Sequence, residues 1–248
     1  MGYDHVNALK DIIKNPNVFG LITENNLQFI QEENLRYIQE IMGDRFVISS
    51  SPSQDIHEII NEQNICIMLT LGWRKLINTS EFNHLELLVN VHPAILPQYK
   101  GYHPVPHVLL NKETEHGITA HILTKEMDAG DIILKQTFSI DSFSTLKSLQ
   151  NRVNELMPHF LSNLFEKLQN ESNITLESND DTHTIIRAPK RIPADSEIKF
   201  SASILEAYHQ TRACDPDRFP AFLLIAGEKV YLSFSREKNA NRSHKFDV

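Results

Sequence analysis

The sequence is poor in cysteine, in basic residues and in long apolar runs. Only Cys66 and Cys214 occur among 248 residues, so there is no disulfide framework and no Cys/His spacing of a zinc site. Cys66 lies in the apolar run Ile65–Leu71, which predicts a buried free thiol. No apolar run reaches the ~20 residues needed to cross a bilayer, and the N-terminus lacks a signal peptide's basic and apolar regions. These absences predict a soluble cytoplasmic protein with reduced thiols and no membrane partner.

The charge balance disfavours another class of partner, although a local basic patch stays possible. Lys and Arg number 24 against 32 Asp and Glu, which gives a net charge of −8. A surface of this sign repels nucleic-acid phosphates, so a protein whose main role is to bind RNA or DNA is not expected. The composition, 41% hydrophobic and 23% charged, is typical of a globular protein and argues against disorder.

The apolar pattern alternates between strand-like and helix-like segments through the first half of the chain. Strands that alternate with helices are joined by right-handed crossovers and form a parallel sheet covered on both faces. The pattern predicts an α/β fold with a doubly wound, mostly parallel sheet, and a later long helix from Phe143 that Pro158 kinks or divides. The predicted strands are Val18–Ile22, Arg45–Ser49, Ile65–Leu71, Leu85–Val91, Gly117–Thr124 and Asp131–Ile140.

The composition changes after the long helix. The stretch beyond residue 170 is rich in Asn, Ser and Asp, which is typical of a linker or a surface hairpin. Strand signals return at Ala221–Ile225 and Lys229–Phe234, separated by a Gly-containing turn. We therefore expect a large domain over residues 1–170, a linker over 171–184 and a small β-rich subdomain over 185–248.

Polar side chains follow the ends of the predicted strands, where an open α/β sheet binds its ligands. Asn90 and His92 are two residues apart on one strand, so their side chains project to the same side. Asp128 lies in the connection between two later strands. Taken singly, each has a structural explanation: a hydrogen-bonded histidine, an amide that satisfies loop backbone, or a turn aspartate.

Together, an amide, an imidazole and a carboxylate suit acyl transfer to an amine. The amide and a protonated imidazole stabilise the oxyanion that forms, and the carboxylate accepts the proton of the amine. No nucleophilic Ser or Cys with an adjacent base is evident, which favours direct transfer over a covalent acyl-enzyme.

Three sequence blocks, Asn90–Gly101, His116–His121 and Met127–Ile132, resemble the folate-dependent formyltransferases in order and spacing. That family includes methionyl-tRNA formyltransferase, glycinamide ribonucleotide formyltransferase and the sugar N-formyltransferases. The resemblance implies a Rossmann-like formyltransferase fold, a catalytic domain over residues 1–170 and 10-formyltetrahydrofolate as formyl donor. It also implies that Asn90, His92 and Asp128 are catalytic. Asp131 is set aside because the family pattern places the carboxylate before the small residue and glycine.

By the same resemblance, an apolar cleft holds the folate. Two of its residues keep a structural alternative, since His121 is also explained as a packed strand histidine and Trp73 as a core side chain. The implied folate contacts are Leu71, Trp73, Leu76, Ile95, Leu96, Pro97, His121 and Met127.

The sequence departs from the family pattern at both ends. The chain leads from Met1 almost directly into a helix, so either the sheet is one strand shorter or the start is truncated. The segment from Arg187 resembles the second domain of tRNA and sugar formyltransferases, but at about 60 residues it is reduced. Glycinamide ribonucleotide formyltransferase lacks that domain and is therefore disfavoured.

The charge decides between the remaining acceptors. A tRNA enzyme needs a basic surface, whereas a nucleotide-linked amino sugar presents only a diphosphate that a few cations bind. We therefore expect this small-molecule acceptor and no nucleic acid. Methionyl-tRNA formylation, a non-catalytic folate- or nucleotide-sugar-binding protein, and a homodimer stay open as alternatives. The expected substrate contacts are Arg74, Tyr99, Lys100, Tyr102 and His103, with Arg187, Lys190 and Arg191 as further cations.

Overall fold

The computed structural model describes residues 9–10, 12–24, 32–49, 60, 65–73, 77–170, 174–180 and 185–235. Within these ranges the chain forms ten strands and four α-helices. The strands are β1 (Leu21–Glu24), β2 (Phe46–Ser49), β3 (Ile67–Leu71), β4 (Leu87–His92), β5 (Lys100–Gly101), β6 (Glu115–Ile122), β7 (Ile132–Ser139), β8 (Arg187–Ala188), β9 (Phe222–Ile225) and β10 (Glu228–Tyr231). The helices are α1 (Glu32–Met42), α2 (Pro104–Leu110), α3 (Leu146–Asn170) and α4 (Ile204–Arg212).

The central sheet has the strand order β3-β4-β6-β7. β3 and β4 are parallel, as are β1 and β2, whereas β6 is antiparallel to both β4 and β7. The predicted α/β fold is confirmed, but within the central sheet parallel pairing is limited to β3 and β4. β7 runs antiparallel to β6 because the short connection over residues 123–131 has no crossover helix and returns the chain alongside itself.

Helix α3 covers one face of this sheet. Val153, Phe160 and Leu164 are fully buried against the sheet, with Val89 and Val91 of β4 in the same cluster. The helix runs through Pro158 without dividing, in contrast to one of the two outcomes expected there. Because successive side chains of a strand alternate, the valines that face α3 direct Asn90 and His92 to the opposite face.

The segment around Cys66 differs from the prediction. Ile65–Leu71 was expected to be a strand buried on both faces, but Cys66 is exposed and only Thr70 of β3 is fully buried. The reason lies in the sheet order, since β3 is at its edge in the described part of the chain and has one neighbour, β4. The prediction of a buried thiol is wrong for Cys66, whereas Cys214 is buried.

The chain beyond α3 returns to the central sheet before it forms its own small core. Glu177 bridges to Ile132, and β8 pairs in parallel with β5. Ile198, Cys214 and Ala221 then form a separate cluster beside the antiparallel β9–β10 hairpin. In the described segments we find no helix with the length and apolarity that a membrane span requires. Residues 1–8, which were expected to lead into a helix where the family pattern has a strand, and residues 236–248 lie outside the described ranges.

Candidate active site

A row of polar side chains crosses three neighbouring strands on the face opposite α3. Asn90 of β4 pairs with Thr70 of β3 on one side and His121 of β6 on the other. Thr70 Oγ1 donates to Asn90 Oδ1 at 2.7 Å, and Asn90 Nδ2 lies 3.1 Å from His121 Nε2. Nδ1 of His121 donates to the backbone carbonyl of Ile122 at 2.8 Å. The amide of Asn90 is therefore held in one orientation.

His92 is buried one step further along β4. Its Nε2 donates to the backbone carbonyl of Tyr99 at 3.0 Å, which turns Nδ1 toward Asp128 Oδ2 at 3.5 Å. Burial lowers the pKa of His92, and the opposing effects of the Asp128 carboxylate and the Tyr99 carbonyl are smaller. The imidazole is therefore mainly neutral near pH 7, whereas the sequence analysis predicted a protonated imidazole.

Asp128 supplies the carboxylate from the turn between β6 and β7. Its Oδ2 accepts from the backbone N–H of Gly101 at 2.9 Å, and its Oδ1 lies 3.4 Å from Asn90 Nδ2 and 3.5 Å from His121 Nε2. Burial alone raises the pKa of Asp128, but the charge of His92 and hydrogen bonds from His121 and Gly101 outweigh it, and the pKa lies below its usual range. The carboxylate is therefore ionised at neutral pH.

Two glycines allow the loops to approach one another this closely. Gly101 has a φ of +117°, and a Cβ there would lie 2.6 Å from the carbonyl oxygen of Ala188. A Cβ at Gly130 would overlap the backbone carbonyl of Ile122. Both positions therefore require glycine, because any side chain would displace a backbone segment that positions Asp128.

The residues expected to contact folate occupy several environments. Leu71, Ile95, Pro97 and Met127 are half-buried apolar side chains, and Met127 directly precedes Asp128. Leu71 pairs with Val91 of β4 and packs against the cluster that α3 covers, so its side chain lies on the face opposite the polar row.

Three of the expected folate residues are placed differently. Leu96 is fully buried and its backbone N–H donates to Thr119, so its side chain supports the loop and does not line an open cleft. His121 is 1% exposed and contacts Asn90 and Asp128, which makes it part of the polar row. Trp73 packs partly buried against Phe82 and its neighbours, in agreement with its structural alternative. Leu76 lies outside the described residues.

Two of the expected acceptor contacts are corrected. The Tyr99 ring is buried, and its hydroxyl donates to Glu113 at 2.5 Å, so it does not shape an open pocket. Burial and that hydrogen bond raise the pKa of Tyr99 well above its usual value. Lys100 is 4% exposed, and its Nζ donates to the backbone carbonyl of Asn179 at 3.0 Å. Little of its ammonium group is therefore accessible to a diphosphate.

The other expected acceptor contacts are more accessible. Tyr102 is 44% exposed, and His103 is half-buried, with Nδ1 accepting from the backbone N–H of Arg191. Burial lowers the pKa of His103. Arg187 is exposed and pairs with Lys100 through β5 and β8. Arg74 lies outside the described residues.

Sequence reasoning missed two side chains at this site. Thr70 is the one hydroxyl in the apolar strand β3, and that isolated polar residue was an available signal. Asn179 is 3% exposed and donates to the backbone beside Asp128, although it belongs to the predicted linker. No signal marked it, because the surrounding stretch is rich in Asn, Ser and Asp throughout.

Comparison with known proteins places the chain in a family. The formyl transferase family matches residues 18–164, which is more than half of the chain, so the protein belongs to this family. Methionyl-tRNA formyltransferase of Thermotoga maritima is 36% identical over 126 residues, which cover 51% of this chain and 40% of that protein. The enzyme of that name from Borreliella burgdorferi is 26% identical over 164 residues, 65% of this chain and 51% of its own length. The chain thus spans about half the length of these relatives or less.

Solved structures share the fold over nearly the whole chain. A 4-N formyltransferase from Francisella tularensis superposes with a TM-score of 0.73 at 18% identity and covers 94% of this chain and 93% of its own. A sugar 3N-formyltransferase, crystallised with dTDP and 5-N-formyl-THF, gives a TM-score of 0.69 at 21% identity and covers 91% and 80%. The predicted family and fold are both confirmed.

Proposed function

We propose that this protein transfers a formyl group from 10-formyltetrahydrofolate to the amine of a nucleotide-linked amino sugar. The observation that carries the proposal is the convergence of Asn90, His92 and Asp128, with polar atoms 3.4–3.5 Å apart, in a chain of the formyl transferase family. Asn90 and His92 lie on β4, and Asp128 follows 36 or more positions later in the turn between β6 and β7.

The donor fits the side chains beside the trio. Ile95, Pro97 and Met127 are apolar and half-buried, which is the lining that a flat heterocycle requires, next to a small number of polar groups. When bound, the formyl-folate supplies an electrophilic formyl carbon. The remaining chemistry falls to the side chains of this chain.

Asn90 stabilises the formyl oxygen, and His92 together with Asp128 accepts the proton of the acceptor amine. As the new carbon–nitrogen bond forms, the N–H of Asn90 stabilises negative charge on the formyl oxygen. Neutral His92 and ionised Asp128 accept the proton that the acceptor amine loses. That proton passes to the donor nitrogen as its bond to the formyl carbon breaks, which yields a formamide and the unformylated folate.

The net charge and a structural neighbour support a sugar acceptor. The net charge of −8 disfavours the phosphates of a tRNA, and the sugar 3N-formyltransferase that shares the fold was crystallised with dTDP. Arg187 is exposed beside Lys100 and Gly101, close to Asp128, and is a candidate for the diphosphate. The sequence relatives, which are methionyl-tRNA formyltransferases, favour tRNA as the second candidate acceptor.

The test is a panel of acceptors incubated with 10-formyltetrahydrofolate. dTDP-, UDP- and GDP-linked amino sugars and methionyl-tRNA are each analysed by mass spectrometry for the added formyl group, with Asp128→Asn as the matched inactive control. Formylation of an amino sugar that the variant fails to produce supports the proposal. Formylation of methionyl-tRNA alone overturns the acceptor. Folate binding without any product supports the non-catalytic alternative.

A further inference from the structure

We propose that Asn179 is a positioning residue for the Asp128 carboxylate and that Lys100 holds Asn179 in place. The inference rests on the proposed function, because it assigns Asp128 a catalytic role. It concerns a segment beyond residues 18–164, the part of the chain that matches the family.

One side-chain amide spans the turn that carries Asp128. Asn179 Nδ2 donates to the backbone carbonyl of Asp128 at 2.9 Å and to that of Gly130 at 2.8 Å. Both hydrogens of the amide are therefore used on carbonyls two residues apart. Asn179 is 3% exposed, so water does not compete for these carbonyls.

The turn needs such support because its backbone is in a disfavoured conformation. Asp128 has a φ of +52°, in the left-handed region that L-residues other than Asn and Asp rarely adopt. Such conformations persist where the surrounding structure constrains them, and they occur most often at functional sites. Because Asn179 holds the carbonyls of Asp128 and Gly130, it also fixes the direction in which the Asp128 side chain projects from the turn.

Lys100 connects Asn179 to the second loop of the site. Its Nζ donates to the Asn179 backbone carbonyl, and the next residue, Gly101, donates its N–H to Asp128 Oδ2 at 2.9 Å. β5 therefore contacts the Asp128 carboxylate directly, through the N–H of Gly101. Through Lys100 it also holds Asn179, which supports the backbone of the Asp128 turn. Backbone hydrogen bonds of 2.8 and 2.9 Å between Glu177 and Ile132 attach the same segment to β7.

The remaining polar atom of the Asn179 side chain, its Oδ1, is consistent with a positioning role. Oδ1 of Asn179 is buried and has no hydrogen-bond partner among the described residues. A buried unsatisfied oxygen is costly, so an apolar residue would be expected here unless the two N–H groups were needed.

Two substitutions at position 179 test the role by kinetics. Asn179→Ala removes both donors, and Asn179→Asp keeps the shape but replaces the donors with a carboxylate oxygen. We expect kcat to fall about 100-fold, the loss typical of a catalytic group misplaced by about 1 Å, while KM for both substrates stays within about threefold. Glu177→Gln is the matched control, since that side chain is 59% exposed and forms an ion pair with Lys135; the variant should retain the parent's kcat.

A second measurement does not depend on activity. The Asp128 carboxylate raises the pKa of His92, so moving the carboxylate away should lower the midpoint of the His92 ring titration followed by NMR. Asn179→Ala should shift this midpoint downward and Glu177→Gln should not. If Asn179→Ala does not fold, Lys100→Met should show the same two effects at smaller size.

The outcomes separate this inference from the proposed function. Unchanged kcat and an unchanged His92 titration in Asn179→Ala overturn the positioning role. A fall in kcat matched by an equal effect of Glu177→Gln overturns it too, because the segment would then act only through stability. A shifted His92 titration in a protein that formylates no acceptor supports the positioning and overturns the proposed function.

Discussion

The polar site at the end of β4 (Thr70, Asn90, His92, His121 and Asp128, here named the crevice) and the hairpin β9–β10 invert the usual distribution of side chains. The crevice buries polar groups, among them Thr70, His92 and Asp128, each less than 9% exposed. The hairpin exposes apolar ones, including Ile225 at 47% and Val230 at 43%. Buried polar groups are stable only when their hydrogen bonds are satisfied, so the crevice requires partners from distant segments. The exposed apolar side chains of the hairpin require no hydrogen-bond partners.

The largest expected effect comes from removing the chemistry of the crevice. Asp128→Asn keeps the volume of the side chain but cannot accept a proton. Since loss of a general base or of one charge-stabilising group costs about 10²–10⁴-fold, we expect a fall of about 10³-fold in kcat/KM. Steady-state kinetics on the acceptor found in the panel measure it. Folate affinity, followed by fluorescence, should remain near the parent's; joint loss of binding and turnover would contradict a catalytic role.

The next prediction concerns a histidine outside the crevice. His116 is 1% exposed, packs edge-on against Phe138, and burial lowers its pKa to about 4. Because the folded pKa lies below the ordinary value of 6.5, folding favours the neutral ring, and stability is lost as pH falls from about 6.5 to 4. The shift corresponds to about 3 kcal/mol of unfolding free energy.

Urea titrations at several pH values measure this loss. His116→Leu should lose less stability between pH 7 and 4 than the parent, whatever its stability at neutral pH. Equal losses in the two proteins would show that other groups govern the acid response.

A backbone change at the crevice should have a smaller effect on stability. Gly101→Ala places a Cβ against the Ala188 carbonyl at a φ of +117°. We expect about 2 kcal/mol lower stability, since a strained left-handed position costs about 1–3 kcal/mol, together with reduced turnover because the Gly101 N–H no longer meets Asp128. Thermal unfolding and kinetics report the two effects. A variant with the parent's stability and activity would contradict the close approach of β5 and β8.

The smallest effect is expected at the hairpin. Val230→Thr exchanges one exposed β-branched residue for another, and such surface changes alter stability by less than about 0.5 kcal/mol. Activity should not change. A large loss of stability that increases on dilution would instead show that a second copy of the chain covers this face in solution.

Much of the fold followed from local patterns. The apolar residues of β4, β6 and β7 placed these strands to within a few residues, because the alternation of side chains depends only on the strand itself. The direction of the later strands did not follow, since pairing depends on how the connections turn. The exposure of Cys66 was misjudged for a related reason: an apolar run does not reveal whether its strand is central or at an edge.

At the site, the catalytic residues were predictable from the strand pattern and the family resemblance, whereas the contacts that hold them in place were not. Tyr99 has a φ of +62°, and its ring lies in the core while its carbonyl meets His92. Lys100 was expected to contact the acceptor, but its side chain is buried, as lysines are only where they have partners. Its partner is Asn179, 79 positions later, and no local pattern links the two.

The amino-acid sequence alone therefore determined that Asn90 and His92 share a side of one strand and that Asp128 follows a later one. That inference was secure because strand periodicity is a property of the backbone and needs no knowledge of neighbours. Only the tertiary structure decided the orientation of the Asn90 amide, the proton position on His92 and the support of Asp128 by Asn179. Each of these depends on hydrogen bonds between segments that meet only after folding, where burial makes the choice of partner decisive.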